Sequence, residues 1–227
     1  MSFHKTESTD CVVLESSKQV TASVIWLHGL GADGYDFVPI VPELRLPAEL
    51  GIRFVFPHAR LRPVTINNGY VMRAWYDIKA LALNGPEDEI GIRESESSLR
   101  EYIQRERDAG VAADRTIVAG FSQGGAIALH TALRYPQRLA GVMALSTYLP
   151  LRQTLSVEAS AANRDAPIFM CHGSQDFVVP MTLGEMSRDV LSKLGYNVMW
   201  KQYPMAHEVC AQEIVDIANW LRARLIA

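Results

Sequence analysis

The sequence predicts an α/β fold, a mostly parallel sheet with helices on both faces. Three observations predict it. Short apolar runs, nearly continuous in Val, Ile, Leu and Phe, recur along the chain and end at Gly, Pro or Ser, as strands covered on both faces do. Amphipathic segments with the helical period separate most of them. A chain of 227 residues with 48% hydrophobic and 21% charged content suits one large domain with a substantial core. Alternation of this kind implies parallel pairing through crossover helices.

In chain order, strands are expected at 23–29 "SVIWLHG", 52–57 "IRFVFP", 115–122 "RTIVAGFS", 139–146 "LAGVMALS", 167–173 "PIFMCHG" and 197–204 "NVMWKQYP". The first expected helix, 93–107, lines Leu99, Tyr102 and Ile103 along one face and Glu and Arg along the other. Segment 123–134, "QGGAIALHTALR", is apolar almost all round and reads as a central, buried helix. In 181–194, Leu183, Met186, Val190 and Leu194 recur at three- and four-residue steps before Gly195. The last helix, near 208–225, repeats Ile214, Ala218, Leu221 and Leu225. Residues 58–90 break the alternation. They are rich in apolar side chains without helical period, and "TINNGYVM" carries an Asn-Gly turn signal for a hairpin. The expectation is a single domain over 1–227, with 58–90 an irregular excursion covering the active site; a purely structural flap is the other reading.

The net charge is −3 and no run of Lys or Arg stands out. That argues against nucleic acid or an anionic membrane as the main partner. The first twenty residues are polar and lack the apolar core of a secretory signal, and no window approaches the roughly 18 apolar residues of a membrane span. Cys11, Cys171 and Cys210 are odd in number and widely spaced, which fits neither a disulfide framework nor a zinc site. No stable membrane insertion, no metal and a cytoplasmic location are the expectations. His172 and Asp176 stand four apart, but no third ligand accompanies them.

Chemistry concentrates at "VAGFSQGG", where Ser122 lies between Gly120 and Gly124 after an apolar run and before an apolar helix. Either the serine caps that helix, or a strained turn holds it as a nucleophile above the sheet. A serine hydroxyl needs a base, and the base needs an orienting acid. Asp176, in "HGSQDFVVP", and His207, in "YPMAHEV", each follow a strand and come in the order serine, acid, histidine. Taken singly, Asp176 also reads as a loop cap and His207 as a helix-start residue. If Ser122 is the nucleophile, the Gln123 N–H faces the oxyanion, and Leu30 in "LHGLGADG" supplies a second N–H. His28 reads as an organiser of its turn and His130 as a core histidine.

The set "LHGLGADG", "RAWYD", "GFSQGG", "LSTYLP", "HGSQDFVVP" and "AHEV" resembles the acyl-protein thioesterase and bacterial carboxylesterase family, also called phospholipase/carboxylesterases. The resemblance runs from about residue 20 to the C-terminus. It implies an α/β-hydrolase fold without a large cap domain. It also implies a triad of Ser122, Asp176 and His207, oxyanion donors at Leu30 and Gln123, and no cofactor. The substrates it implies are small-molecule esters, lysophospholipids or acylated proteins, and many members are cytosolic homodimers. Composition and place in the family make Met72, Trp75, Leu81 and Leu83 the candidate acyl groove. A lysophospholipase and a catalytically inactive hydrolase-fold binding module are the competing readings. One departure stands out: Ala206 precedes the histidine where the family usually has glycine. If that position takes a positive φ, alanine costs roughly 1 kcal/mol or more.

Overall fold

The strand Ala22–Leu27 (called β3) lies near the middle of an eight-stranded sheet and is buried along its whole length. The computed structural model describes residues 3–47, 49–80 and 85–226. In chain order the other sheet strands are Phe3–Glu7 (β1), Cys11–Ser16 (β2), Ile52–Pro57 (β4), Thr116–Phe121 (β7), Gly141–Leu145 (β8), Ile168–Gly173 (β9) and Val198–Tyr203 (β10). Their spatial order is β1-β2-β4-β3-β7-β8-β9-β10. The six strands from β4 to β10 pair in parallel, while β1 and β2 add antiparallel pairs at one edge.

Both faces of β3, β4, β7, β8 and β9 are covered, which is why their sequences read as apolar runs, while β10 at the edge is half exposed. Side chains alternate between two cores. Ile25, Leu27, Val118, Val142, Ala144, Ile168 and Met170 face the core formed with helices Glu89–Asp108 (α2), Gln123–Arg134 (α3), Leu155–Glu158 (α4) and Met181–Lys193 (α5). Val24, Trp26, Ile117, Met143, Leu145 and Phe169 face the core formed with Ile40–Glu43 (α1) and Ala211–Leu225 (α6). All twelve residues of α3 are buried, as its composition requires.

All six expected strands are present to within two residues at either end, and the four expected helices are α2, α3, α5 and α6. Two details differ. The polar N-terminal stretch contributes β1 and β2; in β2 the residues Val12, Leu14 and Ser16 alternate inward. The buried stripe of α5 is Gly184, Ser187 and Leu191, one position on from the expected Leu183, Met186 and Val190. Small side chains draw the helix in there. A Cβ on Gly184 would lie 2.4 Å from His172 Nδ1, and Ser187 Oγ accepts the Leu149 N–H at 2.8 Å.

The excursion after β4 opens with the expected hairpin. Leu61–Val64 (β5) and Tyr70–Arg73 (β6) pair antiparallel, and the turn places Asn68 and Gly69 at φ 55° and 76°. Among the described residues no helix is long and apolar enough to cross a membrane.

Candidate active site

The elbow between β7 and α3 follows from packing at its glycines. A Cβ on Gly120 would lie 2.3 Å from the Gly124 carbonyl, and one on Gly124 would lie 2.4 Å from Leu27 O and 2.5 Å from His28 O. Only bare backbone lets the strand, the helix and the end of β3 approach this closely. The serine between them takes φ 54° and ψ −122°, a setting L-residues rarely adopt. Its backbone is held on both sides: Ser122 N–H donates to Leu145 O at 2.8 Å, and Thr147 Oγ1 donates to Ser122 O at 2.6 Å. The Ser122 hydroxyl makes no capping bond to the helix, so the helix-cap reading fails. It points elsewhere.

It points to His207. Ser122 Oγ is 2.9 Å from His207 Nε2, and His207 Nδ1 is 2.7 Å from Asp176 Oδ2. A carboxylate only accepts, so Nδ1 carries the proton, and the neutral ring then accepts the Ser122 O–H at Nε2. The Asp176 side chain is fully buried, while His207 keeps 15% of its side chain exposed. The second carboxylate oxygen accepts the N–H groups of Val178 and Val179 at 2.9 and 2.8 Å. The histidine ring rests on Phe121, centroids 4.7 Å apart. Its loop lies directly over the end of β9, where a Cβ on Gly173 would meet Ala206 O at 2.3 Å. Ala206 is not among the described residues with positive φ, so alanine carries no left-handed cost there.

Two further histidines arrange the loops. His172 Nε2 lies 2.8 Å from Val179 O, backing the loop that carries Asp176, and burial holds its pKa below the ordinary value. Among the described residues no group of three His, Cys, Asp or Glu is placed to hold a metal. His28 is pushed down to about 4 by burial. In that neutral ring Nε2 accepts the Ala59 N–H at 3.0 Å and Nδ1–H donates to Gly29 O at 2.7 Å, so His28 does organise its turn. Leu30 follows, then Gly31 at φ 78°. Gln123 opens α3, where a first-turn N–H has no intrahelical acceptor. His130 is a core residue, its Nε2 3.0 Å from Glu96.

The expected groove residues divide. Met72 lies against the turn after Leu30, its Sδ 3.5 Å from where a Cβ on Gly31 would be. Trp75 is not a groove wall. The residue is 4% exposed, packed in the core, and its indole N–H donates to His28 O at 2.9 Å. Leu81 and Leu83 fall outside the described residues. Two contributors were absent from the sequence reading, Thr147 and the Gln123 carboxamide. The motif "LSTYLP" contained the first, and "GFSQGG" the second, but neither spacing nor residue type says what a side chain reaches.

Residues 8–225 match the phospholipase/carboxylesterase family. The acyl-protein thioesterase 1 of Neurospora crassa is 42% identical over 214 residues, 90% of this chain and 87% of that protein. That of Yarrowia lipolytica is 40% identical over 210 residues, 90% of this chain and 92% of its own length. Among solved structures, acyl-protein thioesterase 2 of Zea mays superposes with a TM-score of 0.84 at 31% identity, covering 95% of this chain and 98% of that one. SOBER1 of Arabidopsis thaliana gives 0.85 at 30% identity over 90% of this chain and 99% of that one.

Proposed function

Because this chain belongs to the phospholipase/carboxylesterase family of α/β-hydrolases, we propose that Ser122 is its nucleophile, His207 the base and Asp176 the group that orients the base. A serine hydrolase of this family acts on esters or thioesters. Ser122 Oγ attacks the acyl carbon while its proton passes to His207 Nε2. The tetrahedral intermediate collapses as the C–O or C–S bond breaks, and the imidazolium gives its proton to the leaving alcohol or thiol. Water then repeats the sequence on the acyl-enzyme, with His207 again taking the proton, and releases the carboxylic acid. The N–H groups of Leu30 and Gln123 hold the oxyanion.

One observation carries this reading: the unbroken chain Ser122–His207–Asp176 at 2.9 and 2.7 Å, starting from a serine whose backbone is held in a strained conformation. Two relatives named acyl-protein thioesterase 1 favour an S-acylated protein as substrate. Small esters and lysophospholipids carry the same acyl carbon. Residues 58–90 would cover the site, with Met72 on the acyl chain. The three free cysteines suit a reducing cytoplasm.

The test is hydrolysis of p-nitrophenyl esters from acetate to palmitate, and of an acyl thioester, by wild type and Ser122→Ala. The variant is expected to lose at least about 10⁴-fold in kcat. Equal rates in the two proteins would remove Ser122 from the reaction.

A further inference from the structure

The Gln123 side chain is 2% exposed and spans from the elbow to a different part of the chain. Its Oε1 accepts the Trp75 N–H at 2.8 Å, and its Nε2 donates to Tyr76 O at 2.7 Å. One carboxamide thus satisfies a donor and an acceptor on successive residues of an irregular, buried segment. That segment also grips the loop of Leu30. Arg73 O accepts the Gly31 N–H at 2.9 Å, and the Trp75 indole N–H donates to His28 O at 2.9 Å. Ser95 Oγ, from α2, holds Trp75 O from the far side.

Residues 73–76 therefore join the two N–H groups assigned above to the oxyanion. Leu30 lies between residues pinned by Arg73 and Trp75. Gln123 is pinned by its own side chain to Trp75 and Tyr76. We infer that the Gln123 carboxamide is a positioning residue, which fixes the distance between its own N–H and that of Leu30 through the segment 73–76. This inference rests on the function proposed above. The residue type follows from the geometry. The position needs an acceptor and a donor at one terminus, in a plane, two methylenes from the backbone. A carboxylate would repel Tyr76 O, methionine would fill the space without bonding, and asparagine would be too short.

The consequence is kinetic. The oxyanion exists in the transition state and not in the bound substrate, so a displaced donor lowers kcat and leaves ground-state binding alone. A misplacement of about 1 Å costs up to about a hundredfold. The arrangement also ties the hairpin to the chemistry, because β6 runs without interruption into the segment that Gln123 holds.

The experiment compares wild type, Gln123→Met and Trp75→Phe on a short-chain p-nitrophenyl ester and on an alkyl trifluoromethyl ketone. Ser122 adds to the ketone to give a tetrahedral oxyanion. Gln123→Met is expected to lower kcat about ten- to a hundredfold with KM within about twofold, and to weaken ketone inhibition by the same factor as kcat. Trp75→Phe removes the indole N–H that donates to His28 O, together with part of a buried ring, and is expected to move kcat and ketone affinity together by a smaller factor. It stands in if Gln123→Met does not fold, as judged by far-UV circular dichroism. An unchanged kcat in the variants, or a fall in kcat with ketone affinity intact, overturns the inference. Ser122→Ala, assayed alongside, separates the two claims. Activity surviving in Ser122→Ala removes the proposed nucleophile, and this inference with it. A dead Ser122→Ala beside normal Gln123→Met and Trp75→Phe removes the inference alone.

Discussion

Ser122 holds a backbone conformation that costs a residue with a side chain on the order of 1–3 kcal/mol. The surroundings over-determine it through two backbone hydrogen bonds and two glycines that cannot be replaced without moving main chain. Gly124 is the more telling of the two, since its missing Cβ would strike both Leu27 O and His28 O, at the root of the Leu30 loop. Gly124→Ala is therefore expected to lower stability by about 3 kcal/mol and to lower activity in the fraction that folds. Gly110→Ala is the control. That glycine sits at φ 92° with open space around it, so alanine there meets only the left-handed penalty of about 1–2 kcal/mol and leaves kcat unchanged. Urea titration of both, followed by kinetics, checks the pair; equal effects on kcat would mean that the close approach at Gly124 is not what shapes the site.

The β5–β6 hairpin carries apolar surface that folding does not bury. Leu61, Tyr70 and Val71 are more than half exposed, while Met72, paired with Arg62 on the opposite strand, turns toward Gly31. If Met72 touches the acyl chain, Met72→Ala makes room beside Leu30 and is expected to change the ratio of kcat/KM for octanoyl over butyryl esters by about tenfold. A ratio unmoved by the substitution would return Met72 to the role of packing. Elements of this kind also mark how far the sequence could be read. The inner parallel strands declared themselves because burial on both faces leaves an apolar run, and the hairpin did so through Asn68-Gly69. Ser122, Asp176 and His207 were legible because each sits at a strand end in a fixed chain order. β1 and β2 were hidden: an antiparallel edge needs only every second residue inward, and Phe3–Glu7 is almost wholly exposed. Trp75 misled for a different reason. Its type suits a groove wall as well as a core, and only the position of His28 O decides between them.

At the scale of the whole molecule, α6 closes the second core and joins its parts. Ile217, Ala218, Trp220, Leu221 and Leu225 pack beneath the sheet, Arg222 donates to Leu44 O and Arg45 O, and Leu225 O accepts from Arg115. The helix begins four residues after His207, so its seating also fixes the histidine loop. In its first turn Glu213 is completely buried beside the Cys171 thiol and the Cys210 backbone, and burial outweighs both and raises its pKa to about 8. The native state thus holds a proton on Glu213 that the unfolded chain, near 4.5, gives up. Between about pH 4.5 and 8 the folded protein binds more protons than the unfolded one, so stability from this group is full below 4.5 and is lost as pH rises toward 8. The loss is on the order of 4 kcal/mol. Glutamine has the same shape, suits the third position of a helix and never ionises. Glu213→Gln is therefore expected to match wild type near pH 5 and to exceed it progressively up to pH 9, in urea midpoints measured across that range. Parallel pH profiles would show that Glu213 is not the group that sets the alkaline limit. A flat profile for the variant against a falling one for wild type would trace that limit to one carboxyl group, under the helix that seats His207.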